Sequence, residues 1–167
     1  MTLRIEAPEG HDPLAWVWGE AAAGISPAAS RLSGAVYADA TLPLREFEAA
    51  RLRIAQINQC VFCLDWRTER HGETVDETFP AAVEAWRTTP ELSARERLAA
   101  EYAERFAVDH VALDLDEGFW TGFRAVYTDA EIVELTLCIG SWIAFGRLNH
   151  VLGLDRACAL PATAAAH

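Results

Sequence analysis

The chain has 167 residues, with 51% hydrophobic and 23% charged side chains, which suits one domain with a sizeable core. Its formal net charge of −11 opposes a phosphate backbone, and no basic patch interrupts it, so no nucleic-acid partner is expected. Residues 1–14 hold no apolar h-region, and four cysteines without an export signal point to a reducing cytoplasm.

Ser26-Pro27 opens a helix running to about Ala40, with the proline in the first turn, where its missing N–H is tolerated. Pro43 opens the next, LPLREFEAARLRIAQIN, whose Leu44, Phe47, Ile54 and Ile57 fall at mostly helical spacing. A helix is expected from Val61 to His71, closed by Gly72. Another covers Glu77 to Arg87 around Pro80. Ser93-Ala-Arg-Glu96 is a capping box that opens a helix to about Val108. The segment from Asp116 to Tyr127 places Phe119, Trp120 and Phe123 on an apolar face.

Thr128-Asp-Ala-Glu131 is a second capping box, opening a long apolar helix that ends near Gly153. Its stretch 132–148 carries Glu134, Ser141 and Arg147 and reads as a buried helix rather than a membrane span. The tail 157–167 is expected to be disordered, which leaves a single domain over 1–156. No alternating run predicts a strand, and no phosphate loop, tandem repeat or dividing linker is present.

The chemistry concentrates in one segment. Cys60 and Cys63, at i and i+3, can share a helical face and close a disulfide with little backbone movement. On a continuous helix, Cys60, Cys63, Arg67 and His71 would span a sector of about 80°. A cation one turn after Cys63, together with a helix N-terminus, would favour its thiolate. A thiolate is the species that attacks a peroxide oxygen or a disulfide sulfur. A zinc site wants four ligands, and only His71 stands near to add a third, so no metal is expected. Cys138 reads as an inert buried residue and Cys158 as incidental. Phe62 and Trp66 read as core or pocket wall.

Glu48, eleven residues, then Cys60-x-x-Cys63, inside R-x-A-x-x-N-x-C-x-x-C, resembles the AhpD-like peroxidases of the carboxymuconolactone decarboxylase family. The run ELTLCIGSWIAFGRLNHVLGLD resembles that family's C-terminal helix. The resemblance covers about 43–155. It implies an all-α, AhpD-like helical bundle that assembles as a trimer or a multiple of three. It also implies reduction of hydrogen peroxide or organic hydroperoxides without a cofactor, and a dithiol or disulfide reductase that restores the pair. By position, Cys63 would be peroxidatic, Cys60 resolving, and Glu48 part of the proton relay. Twelve residues of straight helix span about 18 Å, so Glu48 can meet Cys60 only if the chain turns between them.

Two positions depart from the family pattern. The relay histidine, four residues after the second cysteine, is Arg67, which stays protonated and cannot act as a base. The residue before the second cysteine, a histidine in some relatives, is Phe62. His71, a further turn along, is the candidate replacement proton carrier. A lactone decarboxylase-type enzyme and a non-enzymatic thiol sensor are the alternatives on the same fold. The intact cysteine pair argues against the first of these.

Overall fold

Proline, glycine and hydroxyl-bearing side chains set the helix ends in the computed structural model, which describes residues 3–154. In chain order the helices are α1 (Pro13–Gly19), α2 (Ile25–Ala38), α3 (Leu44–Asn58), α4 (Val61–Asp65), α5 (Phe79–Glu84), α6 (Ala94–Val108), α7 (His110–Asp114), α8 (Glu117–Arg124) and α9 (Asp129–Leu152). Both capping boxes form with their two reciprocal bonds, at Ser93–Glu96 and Thr128–Glu131. Gly153 closes α9 in the left-handed region at φ 76°.

The expected helix from Val61 to His71 is not there. It stops at Asp65, and Trp66 is already extended at ψ 146°. The carbonyls that would carry the helix onward are taken by guanidinium groups: Arg51 binds those of Cys63 and Trp66, and Arg67 binds those of Leu64 and Trp66. His71-Gly72 is not a helix end but a two-residue turn. Both residues have positive φ, 54° and 80°, and Arg70 and Glu73 exchange backbone hydrogen bonds across it. Two short helices, α1 and α7, were not foreseen. The other boundaries fall near those expected, with the 77–87 segment trimmed to α5 and the 116–127 segment to α8. The expected tail 157–167 and Cys158 lie outside the described residues.

Helix α3 is the centre, packing on α6 and α9. Its Ala49, Ala50 and Ala55 and the Ala99, Ala100 and Ala103 of α6 are all buried, and their small side chains let the two helices approach closely. Phe47, Leu52 and Ile54 fill the remainder against Leu135, Ile139 and Trp142 of α9. At the far end of α3, a Cβ on Gly146 would collide with Asn58 Nδ2, so a larger residue there must displace the Asn58 side chain. Rings at Tyr102, Phe119, Phe123 and Tyr127 pack α8 and the turn after it against α6. Among the described residues there is no strand, and no helix is long and apolar enough to cross a membrane.

Candidate functional site

The site begins where α3 ends. Gln59 takes the left-handed conformation at φ 55°, and the amide N–H of Cys60 donates to the Ala55 carbonyl at 3.1 Å. This reverses the chain and lays α4 back on α3. Residues far apart along a straight helix thereby become neighbours. Arg51 Nη1 reaches the Cys63 carbonyl at 2.7 Å across twelve positions of sequence.

Cys60 is the N-cap of α4, and its Sγ lies 3.3 Å from the Cys63 amide nitrogen. The two cysteines are joined in a disulfide with Cα atoms 5.2 Å apart. Their surroundings differ. Cys60 is 2% exposed, whereas Cys63 is half-buried and forms part of a cavity wall.

Behind the pair lies a buried ionic unit. Glu48 is fully buried and accepts from Arg51 Nε at 2.5 Å, Arg51 Nη2 at 2.8 Å and Thr68 Oγ1 at 2.6 Å. Arg51, 2% exposed, completes its set with the carbonyls of Cys63 and Trp66 and lies 5.3 Å from the Trp66 ring centre. Glu48 is therefore linked to the cysteine segment through Arg51, not by direct approach. Neither Arg51 nor Thr68 is among the site residues expected from the sequence. The i, i+3 spacing of Glu48 and Arg51 was the available signal.

His71 stands apart from that unit, and Arg67 meets it at the Trp66 carbonyl, which it shares with Arg51. With α4 ended at Asp65, neither continues a helical face from Cys63, and the expected four-residue sector is broken. Arg67 donates to the carbonyls of Leu64 and Trp66, and its Nη2 lies 4.0 Å from Glu77. His71 is exposed at the tip of its turn. The cation bonded to the Cys63 backbone is Arg51.

The cavity beside Cys63 holds about 410 Å³. Its walls come from α1, α2, α3, the α4 segment and α9, with rings at Trp18, Tyr37, Phe62, Trp66, Trp142 and Phe145. Trp18 packs edge-on against Phe145 at 5.0 Å and donates from Nε1 to Asn149 Oδ1 at 3.1 Å. Tyr37 packs edge-on against Trp66 at 4.9 Å, and burial pushes its hydroxyl pKa up despite the nearby Arg51. Phe62 and Trp66 are thus pocket wall. Cys138 lies buried in α9 outside this lining, its thiol pushed up to about 12 by burial and the Glu134 carboxylate.

Residues 25–105 match the Carboxymuconolactone decarboxylase family. The chain is similar to this family over that span. The matched span contains Glu48, Arg51, Cys60, Cys63 and Thr68, while the Trp18 and α9 walls of the cavity lie beyond it. Two bacterial relatives are similar to this chain. The uncharacterized YnjA of Escherichia coli is 33% identical over 103 residues, which is 61% of this chain and 56% of that protein. The uncharacterized YdfG of Bacillus subtilis is 27% identical over 109 residues, 64% of this chain and 72% of its own length. The match thus spans little more than half of the Escherichia coli relative. In fold the chain resembles a crystal structure from Agrobacterium tumefaciens, with a TM-score of 0.64 and 24% identity, covering 80% of this chain and 90% of that one. That protein is of unknown function, and the role of an antioxidant defence protein, AhpD, has been suggested for it. The architecture is that of the AhpD-like all-α fold.

Proposed function

We propose that this protein belongs to the carboxymuconolactone decarboxylase family and is a thiol-dependent peroxidase. The carrying observation is the asymmetry of the pair: Cys63 borders a cavity, and Cys60 is buried within bonding distance of it. The Cys63 thiolate attacks the terminal peroxide oxygen, the O–O bond breaks, and the departing alkoxide or hydroxide takes a proton. The Cys63 sulfenic acid then condenses with the Cys60 thiol, releasing water and forming the disulfide. A dithiol or disulfide reductase returns both thiols by exchange, as in a reducing cytoplasm.

Arg51 supports the thiolate in this reading, through its fixed positive charge beside the Cys63 backbone. Both oxygens of Glu48 are occupied by donors, so its role is to hold Arg51 rather than to receive the thiol proton. Arg67 in the relay position then removes a base that this arrangement does not use. A carboxylate-bearing lactone would want a free cation in the cavity. Arg51, the cation in its lining, is already paired with Glu48, which argues against the decarboxylase alternative.

Assembly into a trimer or a multiple of three belongs to the same proposal. It is supported by the exposed Val133, Leu137, Leu148 and Val151 along α9. Light scattering at the 18.4 kDa monomer mass would remove it.

Steady-state turnover of tert-butyl hydroperoxide with dithiothreitol tests the activity. Wild type should turn over, and Cys63→Ser should not. Mass spectrometry after one equivalent of peroxide should show the loss of two hydrogens, mapped to Cys60 and Cys63. A pair that oxidises once and does not turn over would leave a redox sensor as the function.

A further inference from the structure

The cavity beside Cys63 is far larger than hydrogen peroxide requires. Its volume of about 410 Å³ compares with roughly 30 Å³ for a water molecule in the liquid. A site built for the small peroxide would not need this space.

Its walls are also chemically specific. Six aromatic rings surround the space, from Trp18 of α1, Tyr37 of α2, Phe62 and Trp66 of the cysteine segment, and Trp142 and Phe145 of α9. The Trp18–Phe145 and Tyr37–Trp66 pairs are edge-to-face, at 74° and 87°. This geometry fixes the rings without stacking them on one another, and a third ring can join either pair on the same quadrupolar terms.

The polar lining is neutral. Asn58 donates to the Trp142 carbonyl, Asn149 accepts from Trp18, and the Arg51 charge is matched by Glu48. An anionic ligand would lose its hydration here and gain no unpaired cation in return. The cavity therefore favours apolar, uncharged, ring-bearing molecules.

We propose that the substrates of this site are neutral aromatic hydroperoxides, with the ring held among the cavity aromatics and the terminal peroxide oxygen directed at the Cys63 sulfur. The proposal rests on the peroxidase reading for its chemistry, and on the cavity alone for its ligand class. The terminal oxygen passes to Cys63 as the O–O bond breaks. The aryl-substituted alkoxide takes a proton from water and leaves as the alcohol. Trp18 closes one side of the cavity from a short helix with no buried residue of its own, so it contributes to selectivity with little role in the core.

The test has two arms. In the first, 2-phenylpropan-2-ol, the alcohol product of cumene hydroperoxide, is titrated into the oxidised protein and followed by tryptophan fluorescence and calorimetry. Saturable one-site binding is expected, weakened at least fivefold by Trp18→Ala and by the cavity-filling Ser33→Phe. Melting curves check that both variants are folded. Absence of saturable binding up to the solubility limit, or binding that neither folded variant alters, overturns the proposal.

In the second arm, kcat/KM is compared for cumene hydroperoxide, tert-butyl hydroperoxide, linoleic acid hydroperoxide and hydrogen peroxide. The aromatic substrate should lead each of the others by at least tenfold, and Trp18→Ala should shrink that lead. Equal rates, or a preference for hydrogen peroxide or the charged lipid, overturn the substrate class. If none is turned over, the peroxidase reading fails, while the binding arm still decides whether the cavity selects neutral aromatic ligands.

Discussion

Removing Arg51 tests the central claim that one buried ion pair ties α3 to the cysteine segment. Arg51 is 2% exposed and Glu48 0%, so water cannot replace either partner for the other. Arg51→Met strands the Glu48 carboxylate with Thr68 as its remaining partner and leaves the Cys63 and Trp66 carbonyls without this donor. Breaking a buried pair from one side costs about 3–5 kcal/mol. For a domain of this size that corresponds to a fall of about 6–20 °C in Tm. Glu48→Leu alone should also destabilise, by stranding the guanidinium. The double variant removes both charges together and should recover about 1–3 kcal/mol relative to the sum of the single losses. Urea unfolding followed by circular dichroism gives all four corners of the cycle. Strict additivity would refute the coupling.

The same variants report on the thiol. In reduced protein, Arg51→Met should raise the pH midpoint of Cys63 alkylation. Arg51→Lys should restore part of that effect, because it keeps a charge and loses the planar fork. Arg67→Ala should shift the midpoint less than Arg51→Met does, because Arg67 binds the Leu64 and Trp66 carbonyls and not that of Cys63. A shift with Arg67→Ala and none with Arg51→Met would reverse the assignment.

The three tyrosines of the chain, Tyr37, Tyr102 and Tyr127, are all raised above the usual tyrosine value of 10.0, in each case chiefly by burial. A raised folded pKa contributes stability below the unfolded value that is lost as pH climbs through the folded one. The rise in absorbance at 295 nm should therefore come at higher pH in folded protein than in urea-unfolded protein; coincident titration curves would contradict the burial. Gly146→Ala and Gly140→Ala should act with opposite signs. The first overpacks Asn58, which is held by the Trp142 carbonyl and Arg147, at about 1–3 kcal/mol. The second meets nothing within 4 Å and gains up to about 1 kcal/mol of helix propensity, so the two melting temperatures should move apart. Cys138, with its thiol pushed up to about 12, should remain unmodified by iodoacetamide at pH 8 in reduced native protein, while peptide mapping finds Cys63 labelled.

What the sequence determined by itself was local. The capping boxes at Ser93 and Thr128, the Pro43 entry to α3, the left-handed stop at Gly153 and the paired cysteines each depend on residues within about one helical turn, and such signals are readable in the chain. Family likeness added Glu48, which no spacing argument reaches. Tertiary structure decided the rest. Periodicity could not show that α4 stops at Asp65, because the donors that take its carbonyls include Arg51, twelve residues upstream of Cys63 on a different helix. The dipeptide His71-Gly72 was legible as a stop, but whether it ends a helix or makes a turn depends on what the preceding residues are bonded to. Helices α1 and α7, at 7 and 5 residues, are too short for a periodic pattern to mark. The cavity is the least local feature. Trp18 meets Asn149 across 131 positions, and Arg51 replaces Arg67 as the cation at Cys63 because the left-handed turn at Gln59 folds α4 back onto α3, a contact that depends on three-dimensional packing rather than on residue spacing.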